Sequence, residues 1–223
     1  MRQIFLLGDS TCAHKSDDKR PETGWGMALQ PLVKKPWQIL NLAQNGRSTK
    51  SFLDEGLFDC CLDQLTEGDW VFIQFGHNDS KEDEARHTDP WTTFQGNLLL
   101  MTDQVLARKA HPVLLTPICR RRFDERGNLV QTHGEYPMAI LSLAESRGYA
   151  ALDMTEKTFQ LFNQLGPENS KMLFLHLKKG EHPNYPEGVA DDTHLNEWGA
   201  QVIATLILSQ LRDLYAFVPF LKD

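Results

Sequence analysis

The chain is short of cysteine, has no long apolar run and carries no excess of positive charge, and each shortage removes a class of function. Four cysteines (Cys12, Cys60, Cys61 and Cys119) include a vicinal pair but no Cys-x-x-Cys, which argues against a zinc knuckle or a thioredoxin-like redox centre and leaves buried free thiols as the expectation. No apolar stretch approaches the roughly 20 residues that cross a bilayer. The run Ile4 to Leu7 stops at Gly8 and Asp9, short of the about 7 to 15 apolar residues of a secretory signal. A cytoplasmic chain without membrane association is therefore expected. With 23 lysines and arginines against 30 acids the net charge is −7, and long-range repulsion of polyanions argues against nucleic acid as a partner.

The remaining composition is that of an ordinary folded domain: 223 residues, 41% apolar and 24% charged, with no repeat or low-complexity linker, so one domain over residues 1–223 is expected. Short apolar runs bounded by turn residues read as buried strands at Gln3 to Leu7, Gln38 to Leu42, Trp70 to Phe75, Pro112 to Leu115 and Tyr149 to Leu152. Amphipathic stretches of helical length lie between them, notably Gly96 to Lys109 and Pro137 to Arg147. A last helix carries Trp198, Val202 and Leu206 on one stripe, widened by Ile203, Ile207 and Leu211, with Asn196 as its cap. Strand then helix, repeated, predicts an α/β fold with an approximately five-stranded parallel sheet covered on both faces. Residues 77–94 and 166–190 resist assignment and read as functional loops.

Polar motifs follow three of the strands. Gly8-Asp9-Ser10 closes the first, Asn45-Gly46-Arg47-Ser48 the second and Gly76-His77-Asn78-Asp79 the third, while Asp191-Asp192-Thr193-His194 precedes the last helix. The carboxyl edge of an open parallel sheet is where ligands bind, so these groups should converge there. Ester hydrolysis through a serine requires a base, a carboxylate that orients the base, and donors for the tetrahedral oxyanion. Ser10, His194 and Asp191 fill the first three positions, on the reading that one helical-type turn sets Asp191 beside His194. The backbone N–H groups of Ser10 and Gly46, with the Asn78 amide, supply the donors.

In this order the four motifs resemble those of the SGNH hydrolases, also called GDSL esterases, with Ser10, Gly46, Asn78 and His194 matching the letters of the name. The likeness is closest to the rhamnogalacturonan acetylesterase branch and runs from Ile4 through Leu211. It includes Thr23-Gly24-Trp25-Gly26 and the stretch from Asp191 to Ala200. Thr11 replaces the leucine of many members, as in that branch. The resemblance implies a three-layer, flavodoxin-like α/β/α fold, deacetylation of pectic oligosaccharides, and no metal or organic cofactor.

Other residues carry rival or supplementary readings. Asp192 competes with Asp191 as the orienting carboxylate. His77 reads either as a contact near substrate or as part of a polar turn. Trp25 and Trp91 are candidate sugar-stacking surfaces, Trp25 through the resemblance, although aromatics usually pack first. Arg120, Arg121 and Arg122 follow the fourth strand and are candidates for pairing with a uronate carboxylate; three consecutive arginines otherwise read as a solvated face. A metal set of His176, His182, Asp191, Asp192 and His194 is the rival constellation, but it has no His-Glu-x-x-His and leaves Ser10, Gly46 and Asn78 without a common task. The Gly-x-Ser-x-Gly elbow of the α/β-hydrolases is absent from the sequence. The charged residues of segment 77–94 favour a hydrated substrate over a lipid.

Overall fold

The computed structural model describes residues 2–215 and 218–222. Five parallel strands form the central sheet: β1 (Gln3–Gly8), β2 (Gln38–Asn41), β3 (Trp70–Gln74), β4 (His111–Leu115) and β5 (Ala150–Leu152), in the order β2-β1-β3-β4-β5. Each falls on an apolar run expected to be a strand. The helices are α1 (Thr49–Asp54), α2 (Leu57–Leu62), α3 (Gln95–Ala107), α4 (Tyr136–Arg147), α5 (Met154–Asn169) and α6 (Glu197–Leu214).

Side chains alternate across a strand, and the core divides accordingly. Ile4 and Leu6 of β1, with Phe72 of β3 and Val113 and Leu115 of β4, join one cluster with Phe162 of α5 and Ile203 and Ile207 of α6. Phe5 and Leu7, with Val71, Ile73 and Leu114, join the other with Phe52 of α1, Met101 and Val105 of α3 and Ile140 of α4. The expected three layers follow from this division: a sheet buried on both faces needs apolar residues at every position, and β1 and β3 read that way. Asn196 caps α6 as expected, its Oδ1 accepting from the Gly199 N–H at 2.9 Å.

One expectation fails in residues 166–190, which are more ordered than their composition suggests. Helix α5 continues through a kink at Gly166, where φ is +73°, and Pro167. A short 3-10 turn follows, and the chain then builds an antiparallel ribbon from β6 (Phe174–Leu177) and β7 (Val189–Leu195). β6 continues a buried apolar run, Leu173 to Leu175, whereas β7 reads as polar and is a strand through its pairing with β6. Segment 77–94 is irregular until a π-helical turn over Pro90–Phe94, opened by the Asp89 carboxylate accepting from the Trp91 and Thr92 N–H groups. Among the described residues no helix is long and apolar enough to cross a membrane.

The strand order reverses between β1 and β3, and such a reversal opens a crevice at the carboxyl ends of the two strands. Ser10 follows β1 and Asn78 follows β3, so the two motifs flank this point.

Candidate active site

The turn after β1 is shaped by Asp9 and by Gly8. An added Cβ on Gly8 would come within 2.8 Å of the Gln74 carbonyl oxygen, so only glycine lets β1 end this close to β3. Asp9 is fully buried; its Oδ1 accepts from the Thr11 N–H at 2.9 Å and the Thr11 hydroxyl at 2.8 Å. Its carbonyl accepts from the Cys12 and Ala13 N–H groups. Thr11 is thus part of the scaffold of the turn, and Ser10 is left at its partly exposed crest. Cys12 is buried, and that burial holds its thiol well above the usual range, so it is an inert neighbour.

Ser10 Oγ lies 2.9 Å from His194 Nε2, and His194 Nδ1 lies 2.7 Å from Asp191 Oδ2. The Asp191–His194 contact is made without the helical-type turn expected from the spacing. Phe174 pairs with Leu195, but Leu175 pairs with Asp191, so residues 192–194 bulge out of the ribbon. Asp191 Oδ1 accepts from the Thr193 N–H at 2.7 Å and the His194 N–H at 2.9 Å, closing an Asx turn that brings its second oxygen to the imidazole. Burial alone would raise this carboxyl. The hydrogen bonds from the His194 ring and backbone, the imidazole charge and the Thr193 N–H outweigh that, and hold it at about 2.

Asp192 points elsewhere. Its Oδ1 accepts from Arg121 Nη1 at 2.6 Å and lies 2.7 Å from His176 Nε2. The five residues of the rival metal set therefore divide into separate pairs, Asp191 with His194 and Asp192 with His176. His182 meets the Asn184 N–H at the ribbon tip.

Gly46 occupies a turn with φ at +77°, and no atom beyond the glycine and its two chain neighbours lies within 4 Å of where its Cβ would be. Next to it, Asn78 Nδ2 donates to the Arg47 carbonyl at 3.0 Å. A side-chain amide has two N–H groups, so this contact ties the loops after β2 and β3 together and leaves a second hydrogen. Asp79 completes the knot. Its carboxylate accepts from the Thr49 N–H and hydroxyl (2.9 and 2.6 Å), the Gly76 N–H (3.1 Å) and the Thr88 hydroxyl (3.1 Å). Burial pushes this acid up to about 6 against those four donors.

The supplementary readings need correction. Trp25 is no sugar platform: it is fully buried, with Nε1 donating to Gln74 Oε1 at 2.8 Å. Gly24 packs against the Cys12–Ala13 backbone with no room for a Cβ, and the Trp25 N–H donates to the Thr11 carbonyl at 2.9 Å, so the indole lies in the core behind the Ser10 turn. Trp91 remains exposed. His77 is 3% exposed, and its Nδ1 lies 3.0 Å from His133 Nε2 with the rings edge to face. Burial first, then the positive charges of Arg120 and His194, holds the His77 ring well below the ordinary imidazole range. It is a buried neutral ring, not an open contact surface.

The arginine run is neither a uniform solvated face nor a uniform binding patch. Arg121 is buried in its contacts with Asp192, the Ser170 hydroxyl and the Pro167 carbonyl. Arg122 is exposed. Arg120 is partly buried and donates from Nη2 to the His77 carbonyl at 3.0 Å and from Nη1 to Thr132.

Reading by sequence also missed Lys15, His133 and the Arg121–Asp192 pair. Lys15 sits in a polar run, His14 to Glu22, that carries no sign of burial, yet its side chain is only 2% exposed.

The chain is 42% identical to the rhamnogalacturonan acetylesterase RhgT of Bacillus subtilis, covering 95% of this chain and 90% of the relative. It is 32% identical to the probable rhamnogalacturonan acetylesterase YesY of the same organism, over 95% and 93% respectively. The solved structure of Bacillus subtilis YxiM superposes with a TM-score of 0.80 at 27% identity, covering 96% of this chain and 56% of that longer one. Residues 6–202, almost the whole of the sheet and its crevice, match the model of one family, and the chain belongs to it: the GDSL-like lipase/acylhydrolase family.

Proposed function

We propose that the chain is a carbohydrate O-acetylesterase that removes acetyl groups from pectic, rhamnogalacturonan-type oligosaccharides through an acyl-enzyme on Ser10. The observation that carries the chemistry is the unbroken hydrogen-bonded line from Asp191 through His194 to Ser10. In the first half-reaction Ser10 Oγ attacks the acetyl carbonyl as His194 Nε2 takes the hydroxyl proton, and Asp191 holds the other ring nitrogen and offsets the imidazolium charge. The tetrahedral oxyanion is met by the N–H groups of Ser10 and Gly46 and the free amide hydrogen of Asn78. Collapse breaks the bond to the sugar oxygen, which receives the proton from His194. In the second half-reaction His194 removes a proton from water, the hydroxide attacks the acetyl-serine, and acetate leaves as Ser10 is reprotonated.

The pectic substrate is supported by the two relatives at 42% and 32% identity, both named for rhamnogalacturonan and matched along nearly their full length. Arg120 is the arginine assigned to a uronate carboxylate. It bonds the carbonyl of His77, one residue before Asn78, and its guanidinium retains further N–H donors.

The test is acetate release from acetylated rhamnogalacturonan oligosaccharides by wild type and by Ser10→Ala. The variant is expected to fold normally and to lose turnover; wild-type rates from it would end the acyl-enzyme reading.

A further inference from the structure

Two of the proposed oxyanion donors, the N–H groups of Ser10 and Gly46, come from different loops and must converge on one oxygen. Their spacing therefore depends on what ties the loop after β2 to the segment after β1. The base of that loop is tied to β1 by the Gln44 N–H donating to the Gly8 carbonyl at 3.0 Å, and the turn bearing Gly46 is closed by a long bond of 3.4 Å from the Arg47 N–H to the Gln44 carbonyl and by Arg47 Nη1 donating to the Asn45 carbonyl at 2.9 Å; none of these holds the Asn45 side chain. Open space surrounds the position above Gly46. Asn78 holds the far side of the turn through the Arg47 carbonyl. On the near side stands Lys15, five residues beyond Ser10 in the sequence.

Lys15 Nζ donates to Asn45 Oδ1 at 2.8 Å and pairs with Glu22 Oε1 at 2.7 Å. Its side chain is 2% exposed and that of Glu22 is 14% exposed. Burying an ammonium group is costly unless it is paired and hydrogen-bonded, and this one has both. Glu22 balances the charge, and Asn45, the residue immediately before Gly46, takes a proton of the ammonium. A lysine held this way cannot swing as surface lysines do, so the bond to Asn45 is a fixed strut between the two loops.

We infer that Lys15 is a positioning residue for acyl transfer: through Asn45 it sets the Gly46 N–H at the distance from Ser10 that the oxyanion requires, with Glu22 pairing the ammonium and holding it in place. This rests on the acyl-enzyme reading above. The role belongs to the transition state, because the ground-state ester gains little from the donors that meet the oxyanion. Loosening the strut should therefore lower kcat and leave KM nearly unchanged.

Lys15→Met alone would strand the Glu22 carboxylate, so the informative variant is Lys15→Met with Glu22→Gln, which removes both charges and keeps the volume. With 4-nitrophenyl acetate and an acetylated oligosaccharide as probes, this variant is expected to lose about 10- to 100-fold in kcat, with KM within about twofold. Its melting temperature should stay close to that of wild type. Asn45→Ala should show the same split, and joining it to the Lys15/Glu22 pair should cost nothing further, because all act through one contact. Lys15→Arg, which keeps a donor for Asn45, should recover much of the rate. Wild-type kcat in the charge-free variant, or losses that multiply when Asn45→Ala is added, would overturn the assignment. Ser10→Ala separates the two levels. If it is inactive while the charge-free variant is fully active, only the role of Lys15 falls; if it is active, the acyl-enzyme reading falls first.

Discussion

The Arg121 guanidinium donates to Asp192 Oδ1 at 2.6 Å, and this contact divides two adjacent acids between different tasks. Asp192 anchors the loop after β4 to the ribbon, which leaves Asp191 to hold His194.

From this division Asp191→Asn is expected to lower kcat by on the order of 10³- to 10⁴-fold, because an amide favours the wrong imidazole tautomer. Asp192→Asn should leave kcat within a few-fold and reduce stability by about 1 kcal/mol, since the carboxylate it removes is half exposed. Steady-state kinetics and urea unfolding on both variants check this; a larger kcat loss in Asp192→Asn would reverse the assignment.

Asn78 is expected to serve both as a donor and as a tie to the Arg47 carbonyl. Asn78→Ala should cost on the order of 10² to 10³ in kcat. Asn78→Asp should do at least as much damage, because its carboxylate offers no N–H and repels the oxyanion. Parity between Asn78→Asp and wild type, measured above pH 6, would remove Asn78 from the oxyanion site.

Two acids, the part-buried Asp191 and the fully buried Asp79, should shape the pH dependence of stability in opposite directions. Asp191, held at about 2 when folded, contributes stability that is present above its unfolded value near 4 and is lost as pH falls through 2, on the order of 2 kcal/mol in all. Asp79, raised to about 6, favours the folded state below its unfolded value near 4, and that preference is lost as pH rises through 6. Chemical unfolding from pH 2 to 7 should therefore show Asp191→Asn flattening the acid limb below pH 4. In Asp79→Asn the slope between pH 4 and 6 should vanish, with an overall loss of about 1–3 kcal/mol as an amide faces four donors. A slope unchanged in both variants would show that neither acid titrates as described.

Substrate choice is expected to turn on Arg120 alone among the three arginines. Arg120→Ala should lower kcat/KM on acetylated rhamnogalacturonan more than on acetylated xylan oligosaccharides, by about tenfold for the loss of one charged contact. Arg122→Ala should change neither. Equal losses on both substrates in Arg120→Ala would mean that the residue supports the His77 loop and does not read a carboxylate.

Local pattern determined the sheet, its covering helices and the four polar motifs, because each is written in residues close together in the chain. β1 to β5 are short apolar runs, α6 has its Asn196 cap and buries the Ile203, Ile207 and Leu211 side of its stripe while Trp198 stays exposed, and Ser10, Gly46 and Asn78 follow strands whose carboxyl ends share one edge. What the tertiary structure decided was the direction and burial of side chains whose partners lie far away. β7 is a strand through its pairing with β6, and the bulge in it, not a helical turn, delivers His194 to Asp191. Trp25 and His77 have the residue types of binding surfaces but are drawn inside, one by the close approach of Gly24 to Ala13, the other by His133. Lys15, in a run that reads as solvated, is buried because Glu22 and Asn45 together replace the water it gives up. Charge and hydrogen-bond satisfaction depend on which partners the fold supplies, and spacing along the chain does not record them.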